Sequence, residues 1–343
     1  MTARDLTVAR PVAALVWVAA SDSIAEAAAR MRDNCIGCLL VGDGRKCEGI
    51  VTERDLVTRA IGGGANPHEA VVGDVMTAPV VCCSAETTAV ELRDLMNRGG
   101  FRHVPVRQDE QIVGMLSSRD LMQHVSDYER RLRELTIFSM AKLAESRDTD
   151  TGGHLERVRD YASTLAEWLA QKSAGRGKID EEFVALLRVT SALHDIGKVS
   201  IPDCILLKPG RLSADEFELM KTHTVAGAET LGEALDEFPE ARFLRMGRDI
   251  AAYHHERMDG RGYPEGLSGE DIPLAARIFA LADVYDALVS RRVYKRALPH
   301  TVAKEIVLSG ADTQFDAHVV EGFCACEQRF RAIQQRYGRQ EAA

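Results

Sequence analysis

Two stretches of this chain superimpose on each other without a gap. Residues 15–60 and 80–125 align at a constant offset of 65, so that Gly49-Ile-Val-Thr-Glu-Arg-Asp55-Leu falls on Gly114-Met-Leu-Ser-Ser-Arg-Asp120-Leu. Met31 falls on Met96, Ser23 on Thr88, and Leu39-Leu-Val41 on Val104-Pro-Val106. This is a duplicated unit, and whatever one copy folds into the other must share. Each copy reads as a helix, an apolar strand, a short turn, a strand ending in Thr or Ser, and a second helix. Ala25, Ala28, Met31 and Arg32 have the spacing of one helical face, and Cys38 to Val41 is an apolar run of the buried-strand kind. Residues 1–125 are therefore expected to be α+β, with repeats over about 5–62 and 70–125. Asn66-Pro67 after Gly62-Gly-Gly64 marks the loop between them. No GK[ST] follows those glycines, so they are a linker and not a phosphate loop.

In both copies a hydroxyl and a carboxylate stand three residues apart where strand passes into helix, as Thr52/Asp55 and Ser117/Asp120. Two readings follow. The pair can be a capping box that closes its own helix. Alternatively, the hydroxyl and the helix amides can hold phosphate while the carboxylate takes ribose hydroxyls. The complete repeat resembles a tandem CBS pair (a Bateman module), and that resemblance implies adenine-nucleotide binding at Thr52, Asp55, Ser117 and Asp120, or a role in dimerisation.

A formal net charge of -9 argues against binding a nucleic-acid polymer, which normally needs a basic face. The eight cysteines are scattered without a disulfide rhythm, and the apolar run Val12 to Ala20 lacks a signal-peptide cleavage pattern. Reduced thiols in a cytoplasmic protein are expected, with Cys35-Ile-Gly-Cys38 as ordinary core. No stretch is long and apolar enough for a membrane span. From Asp120 to Glu145 there is neither Pro nor Gly, and Leu121, Val125, Leu132, Leu135, Phe138, Met140 and Leu143 keep approximate helical spacing. Residues 126–145 are expected to be a connecting helix, one that can pair in a dimer.

Beyond about residue 135 the pattern turns to long helices, expected over 154–172, 180–196, 213–234, 240–256, 272–290 and 300–309. The chemistry-bearing residues fall on these helices or at their ends: His154, His194-Asp195 with Lys198, His223, His254-His255 and Asp283. Half of the ten histidines belong to this set, and Asp283 interrupts the apolar run Ile278-Phe-Ala-Leu-Ala-Asp283-Val. A carboxylate in an apolar helix is costly unless paired or metal-bound. Seven imidazole and carboxylate groups exceed what one catalytic metal needs. If Asp195 bridges, they would serve two divalent ions and suit an in-line displacement at phosphorus. Lys198 more naturally meets a phosphate oxygen. Adjacent helical residues diverge by about 100°, so His194 and Asp195 can both face metal only in a broad site.

Taken together, Thr151-Gly-Gly-His154-Leu-Glu-Arg157, His194-Asp195-Ile-Gly-Lys198, Ile201-Pro-Asp203, Lys221-Thr-His223, His254-His-Glu256, Asp259-Gly-Arg-Gly262-Tyr-Pro264 and Ala282-Asp283-Val-Tyr-Asp286 closely resemble the HD-GYP branch of the HD phosphohydrolases over about residues 135–335. The resemblance implies an all-α domain that hydrolyses cyclic di-GMP to linear pGpG and onward to GMP, using iron or manganese, in a homodimer. It carries the metal-ligand role to the seven residues above and places Asp150 where some members bind a third metal. Arg292 and Lys295 fall at the family's phosphate-holding positions. Gly260-Arg261-Gly262-Tyr263-Pro264 would form a fixed turn at the substrate mouth, where Tyr263 and Arg261 can touch substrate. The chain departs from the family pattern with Val293 and Ala317, where Pro is usual, and Met258, where an aromatic is usual. These departures bear on substrate preference and leave the ligand set intact. Two rivals remain open: a non-catalytic cyclic-dinucleotide effector, and an HD phosphohydrolase for another nucleotide such as cyclic GMP-AMP.

Overall fold

The computed structural model describes residues 2–8, 15–147, 153–172, 179–290 and 297–340. It divides into two compact units, Met1–Arg131 and Leu132–Ala343. The first is α+β, with two small sheets, and the second is all-α.

The first unit opens with a short helix α1 (Ala3–Val8) and then builds the same small sheet twice. Strand β1 (Trp17–Val18) runs parallel to β2 (Cys38–Gly42), which pairs antiparallel with β3 (Cys47–Thr52). Strands β4 (Cys83–Ser84), β5 (His103–Gln108) and β6 (Gln111–Ser117) repeat the order. The repetition extends to single partners. Val18 opposite Val41 recurs as Cys83 opposite Val106, and Cys38 opposite Thr52 as His103 opposite Ser117. Even the bulge after Val41 returns after Val106. The register is kept through both copies together with the duplicated runs of buried residues, Cys38–Val41 in one and Val104–Val106 in the other.

The helix of each copy starts at a capping box, Ser23 with Glu26 for α2 (Ile24–Asn34) and Thr88 with Glu91 for α3 (Ala89–Gly99). These caps set the helical phase. In α2 the buried face is Ile24, Ala27 and Met31, one position away from the expected face, and Ala28 is exposed. Ile24 occupies the first turn, where it packs with Val18 and Leu39, and that fixes the rotation.

Helix α4 (Ser118–Glu145) is continuous and begins directly after β6. Leu121 is buried at its start, and Ile137, Ala141 and Ala144 near its end, while Val125, Tyr128, Leu132 and Leu135 are exposed. The second unit continues with α5 (His154–Lys172), α6 (Glu181–Thr190), α7 (Ala214–Glu237), α8 (Arg242–Tyr253), α9 (Leu274–Val289), α10 (His300–Ser309), α11 (Ala317–Ala325) and α12 (Glu327–Gln340). Its core is centred on α5 and α9. Val158, Tyr161 and Leu165 pack with Phe279, Leu281 and Tyr285, and Phe323 and Phe330 close the far side. The rings of Tyr161 and Tyr285 meet edge to face with centroids 5.1 Å apart, and Phe330 stacks on Tyr161 at 4.7 Å. Each such buried ring contributes roughly 1.5–3 kcal/mol. This packing holds the first turn of α5 against the middle of α9, where His154 meets Asp283 and Asp286. His300 is half-buried between the Tyr285 hydroxyl at 2.8 Å and Glu327 at 2.9 Å. No helix among the described residues is long and apolar enough to cross a membrane.

Candidate metal centre

The helices stop where the ligands begin. Helix α6 ends at Thr190, a tight turn covers Ser191–Leu193, and His194 and Asp195 follow on irregular backbone before a second tight turn, Ile196–Ser200. Helix α8 ends at Tyr253, so His254 and His255 lie just past its last turn. Both pairs were expected to be helical. Leaving the helix removes the 100° divergence of neighbours and lets adjacent side chains face one site. The second tight turn sits against α7, and only glycine fits at 197: a Cβ there would come within 1.9 Å of the His223 carbonyl oxygen.

The residues gather into two groups, each with ligand atoms within 4.8 Å of one another: His154, His194 and Asp283 in one, and His223, His254 and His255 in the other. The Asp195 carboxylate stands between them. Its Oδ1 lies 3.3 Å from Nε2 of His223 and 3.9 Å from Nε2 of His254, while Oδ2 lies 3.1 Å from Nε2 of His194 and 2.8 Å from Nζ of Lys198. Nε2 of His154 is 3.5 Å from Nε2 of His194 and 3.7 Å from Asp283.

Backbone carbonyls fix the tautomers. Nδ1 of His194, His223 and His254 donates to the carbonyls of Ser191 at 3.0 Å, Met220 at 2.7 Å and Ile250 at 2.9 Å. Each ring therefore turns Nε2 inward. His154 uses a carboxylate instead, with Nδ1 2.8 Å from Asp286. Asp286 is itself gripped by Arg157, whose Nε donates at 2.7 Å. The sequence argument quoted Asp286 within a motif but gave it no role, although a second carboxylate three residues after Asp283 in the same apolar helix carried the same signal. It missed Glu145, whose Oε1 lies 4.0 Å from Nε2 of His154, and gave Glu256, quoted after the paired histidines, no role. The buried Glu256 carboxylate accepts from the amides of Glu265 at 2.8 Å and Gly266 at 2.9 Å, anchoring the turn that follows Tyr263-Pro264.

The two groups differ in charge. Burial, aided by neighbouring imidazoles, holds His254 well below the usual range, and burial pushes His255 down to about 4 and His223 down as well. Burial also opposes charge on His154, yet the hydrogen bond and charge of Asp286 raise it to about 9. His194 is likewise raised, by Asp195 against its burial. Asp195 stays ionised despite burial because Lys198 and His194 flank it. The donor set fits divalent metal. Nε2 of His223 and of His254 is buried without a hydrogen-bond partner among the described residues, a cost that a bound cation removes.

Beside His255 opens a cavity of about 310 Å³, lined among others by Phe217, Lys221, Arg257, Arg261 and Tyr263. Tyr263 stacks on His255 with centroids 4.7 Å apart, and Lys221 lies over both Phe217 and Tyr263. Gly260 has φ +73°, and a Cβ on Gly262 would come within 2.5 Å of Cα of Glu256, so both glycines are required. Arg261 is exposed, and its amide donates to Asp259, which Arg257 grips with two bonds and holds down to about 2. Asp150, Arg292 and Lys295 lie outside the described residues. In the first unit both hydroxyl–carboxylate pairs are closed on themselves. The Thr52 hydroxyl donates to Asp55 at 2.6 Å and the Ser117 hydroxyl to Asp120 at 2.6 Å, and both carboxylates also accept the amide of their own cap residue.

The family models agree with this architecture. The HD domain matches residues 139–319, and the CBS domain matches residues 3–62 and 72–127. The chain belongs to the HD domain family and carries a CBS pair in front of that domain. HD membership implies divalent-metal binding, and the two histidine groups are where this chain offers it.

A cyclic di-GMP phosphodiesterase of Vibrio cholerae is 43% identical over 234 residues, 67% of this chain and 48% of that protein. The cyclic di-GMP phosphodiesterase response regulator RpfG of Xanthomonas campestris is 41% identical over 201 residues, 59% of this chain and 50% of that protein. A 3'3'-cGAMP-specific phosphodiesterase of V. cholerae is 32% identical over 246 residues, 65% and 45% respectively. The chain thus spans about half the length of the curated relatives it matches. A CBS-domain signal-transduction protein of Burkholderia ambifaria, known from a solved structure, is 30% identical with a TM-score of 0.36, covering 36% of this chain and 93% of that one.

Proposed function

We propose that this chain is a metal-dependent phosphodiesterase that opens cyclic di-GMP to linear pGpG and carries some of it on to GMP. The observation that supports the reading most is the position of Asp195, one oxygen toward each histidine group. His154, His194 and Asp283 would hold one divalent ion, His223, His254 and His255 the other, with Asp195 shared. Iron or manganese suits this mixture of imidazole and carboxylate, and Asp150 can extend the site to a third ion. The ions supply Lewis acidity and lower the pKa of water.

The protein's own groups do the rest. The carbonyl and carboxylate partners of each Nδ1 keep the imidazoles oriented. Lys198 neutralises charge on the scissile phosphate, as do Arg292 and Lys295. The cavity beside His255 offers aromatic surface from Tyr263 and Phe217 for a purine, with Lys221 and Arg261 for a second phosphate. The CBS pair binds an adenine nucleotide at Thr52/Asp55 and Ser117/Asp120, which must open the closed caps, and so regulates the enzyme. The same reading places the chain in the cytoplasm as a homodimer, with Val125, Tyr128, Leu132 and Leu135 of α4 as the paired seam, exposed at alternating three- and four-residue spacing.

The test is to incubate iron- or manganese-loaded protein, prepared without oxygen, with cyclic di-GMP and separate the products. Linear pGpG, absent with His194→Ala, supports the reading. Retained nucleotide binding without product from fully metallated protein would mean an effector. Faster hydrolysis of 3'3'-cGAMP would move the substrate to that class, the activity named for a relative at 32% identity.

A further inference from the structure

The last residue of α4 is a carboxylate aimed at the metal centre. Glu145 is largely buried, with 23% of its side chain exposed, and among the described residues its charged partner is His154, at 4.0 Å from Nε2. That nitrogen is the one turned toward His194 and Asp283. Lys142, one turn back on α4, pairs with Glu156 at 2.8 Å instead. The carboxylate is therefore placed by packing. Ala141 is buried with Leu155, next to His154, and with Ala192, two residues before His194. Ile137 packs with Leu193 and with Ala251 before His254. The end of α4 is wedged among the residues that precede or follow the ligands.

Holding a carboxylate there without a strong cation partner costs free energy. The half of the site nearest to it has Asp283 as its own carboxylate, since Asp286 is committed to Arg157 and His154. We propose that Glu145 is a positioning carboxylate for the ion at His154, His194 and Asp283. It lends that ion negative charge and makes its affinity depend on where α4 ends. The inference rests on the metal-dependent reading above and adds a residue that no motif pointed to.

Manganese titration of metal-stripped full-length protein, by calorimetry and by the paramagnetic signal of bound manganese, tests it without reference to turnover. Wild type is expected to take up two ions. Glu145→Gln should keep the tighter one and bind the other about tenfold more weakly, with an unchanged melting temperature. Glu145→Asp should restore part of the loss. Glu156→Gln, which breaks the neighbouring ion pair to Lys142, should bind manganese as wild type does. If Glu145→Gln titrates like wild type, the assignment to Glu145 falls and the metal centre stands. If Glu156→Gln weakens the ion equally, the effect comes from helix packing and the assignment is overturned. If wild type binds no manganese, the proposed function falls with it.

Discussion

The two halves of the candidate metal centre, one of three histidines and the other of two histidines and an aspartate, are prepared in opposite ways. His223 and His254 are buried with the half-buried His255 beside them, and loss of solvation lowers the pKa of all three. They can accept a cation without first losing protons. His154 and His194 are buried too but stand beside Asp286, Asp283 and Asp195, which raise the proton affinity of both, His154 to about 9. An ion entering that half must displace protons, so its binding is tied to pH more tightly. Burial alone therefore does not decide whether a histidine cluster is ready for metal; the nearest carboxylate does. Asp195 joins the halves, and Lys198 keeps it ionised.

Removing the joint should break the comparison altogether. In Asp195→Ala both halves lose their shared carboxylate, and turnover of cyclic di-GMP should fall by at least about a thousandfold with loss of bound metal. Metal content together with product formation checks this, and full retention of both would refute the shared role. Next in size is the effect of pH on the metal-free protein. His154, raised to about 9, stabilises the fold fully below its unfolded value near 6.5 and loses that contribution, on the order of 3 kcal/mol, as pH climbs to about 9. His255, lowered to about 4, gives stability that is present above 6.5 and lost as pH falls toward 4. Denaturant melts of chelator-treated protein should thus show greatest stability near pH 6.5, with a fall on each side.

The halves can also be separated. Asp286→Asn removes the charge that holds His154 protonated, so it should flatten the alkaline side of that profile and leave the acid side in place. It should also weaken one ion by about 10–100-fold. Equal loss of both ions would contradict separate halves. The smallest effect belongs to the other unit. Ser117→Ala and Thr52→Ala each remove one cap, and each should cost about 1 kcal/mol in a thermal melt. Near-equal losses would confirm that the duplicated copies use these residues alike.

Much of this was legible in the sequence because the repeat and the ligand motif are both contiguous patterns. The gapless offset of 65 foretold the paired sheets, and the candidate ligands stood out as imidazoles and carboxylates near helix ends, six of which the fold gathers into two groups. What escaped depends on phase and on distant contacts. The buried face of α2 is rotated by one residue because its cap and Ile24 choose the rotation. His194 and His255 were placed on helices that end at Thr190 and Tyr253, since periodicity continues past the point where hydrogen bonding changes. Glu145 had no local signal, because packing of α4 brings it to His154, and the role of Glu256 was hidden because it holds a loop nine residues away.

The central claim is a metal centre of two halves joined by Asp195. Anomalous diffraction from crystals of the manganese-loaded protein tests it most directly. The account predicts two strong peaks about 3.5–4 Å apart, one beside His154, His194 and Asp283, the other beside His223, His254 and His255, with Asp195 touching both. A single peak held by one triad alone, or none at these residues in fully active protein, would contradict it.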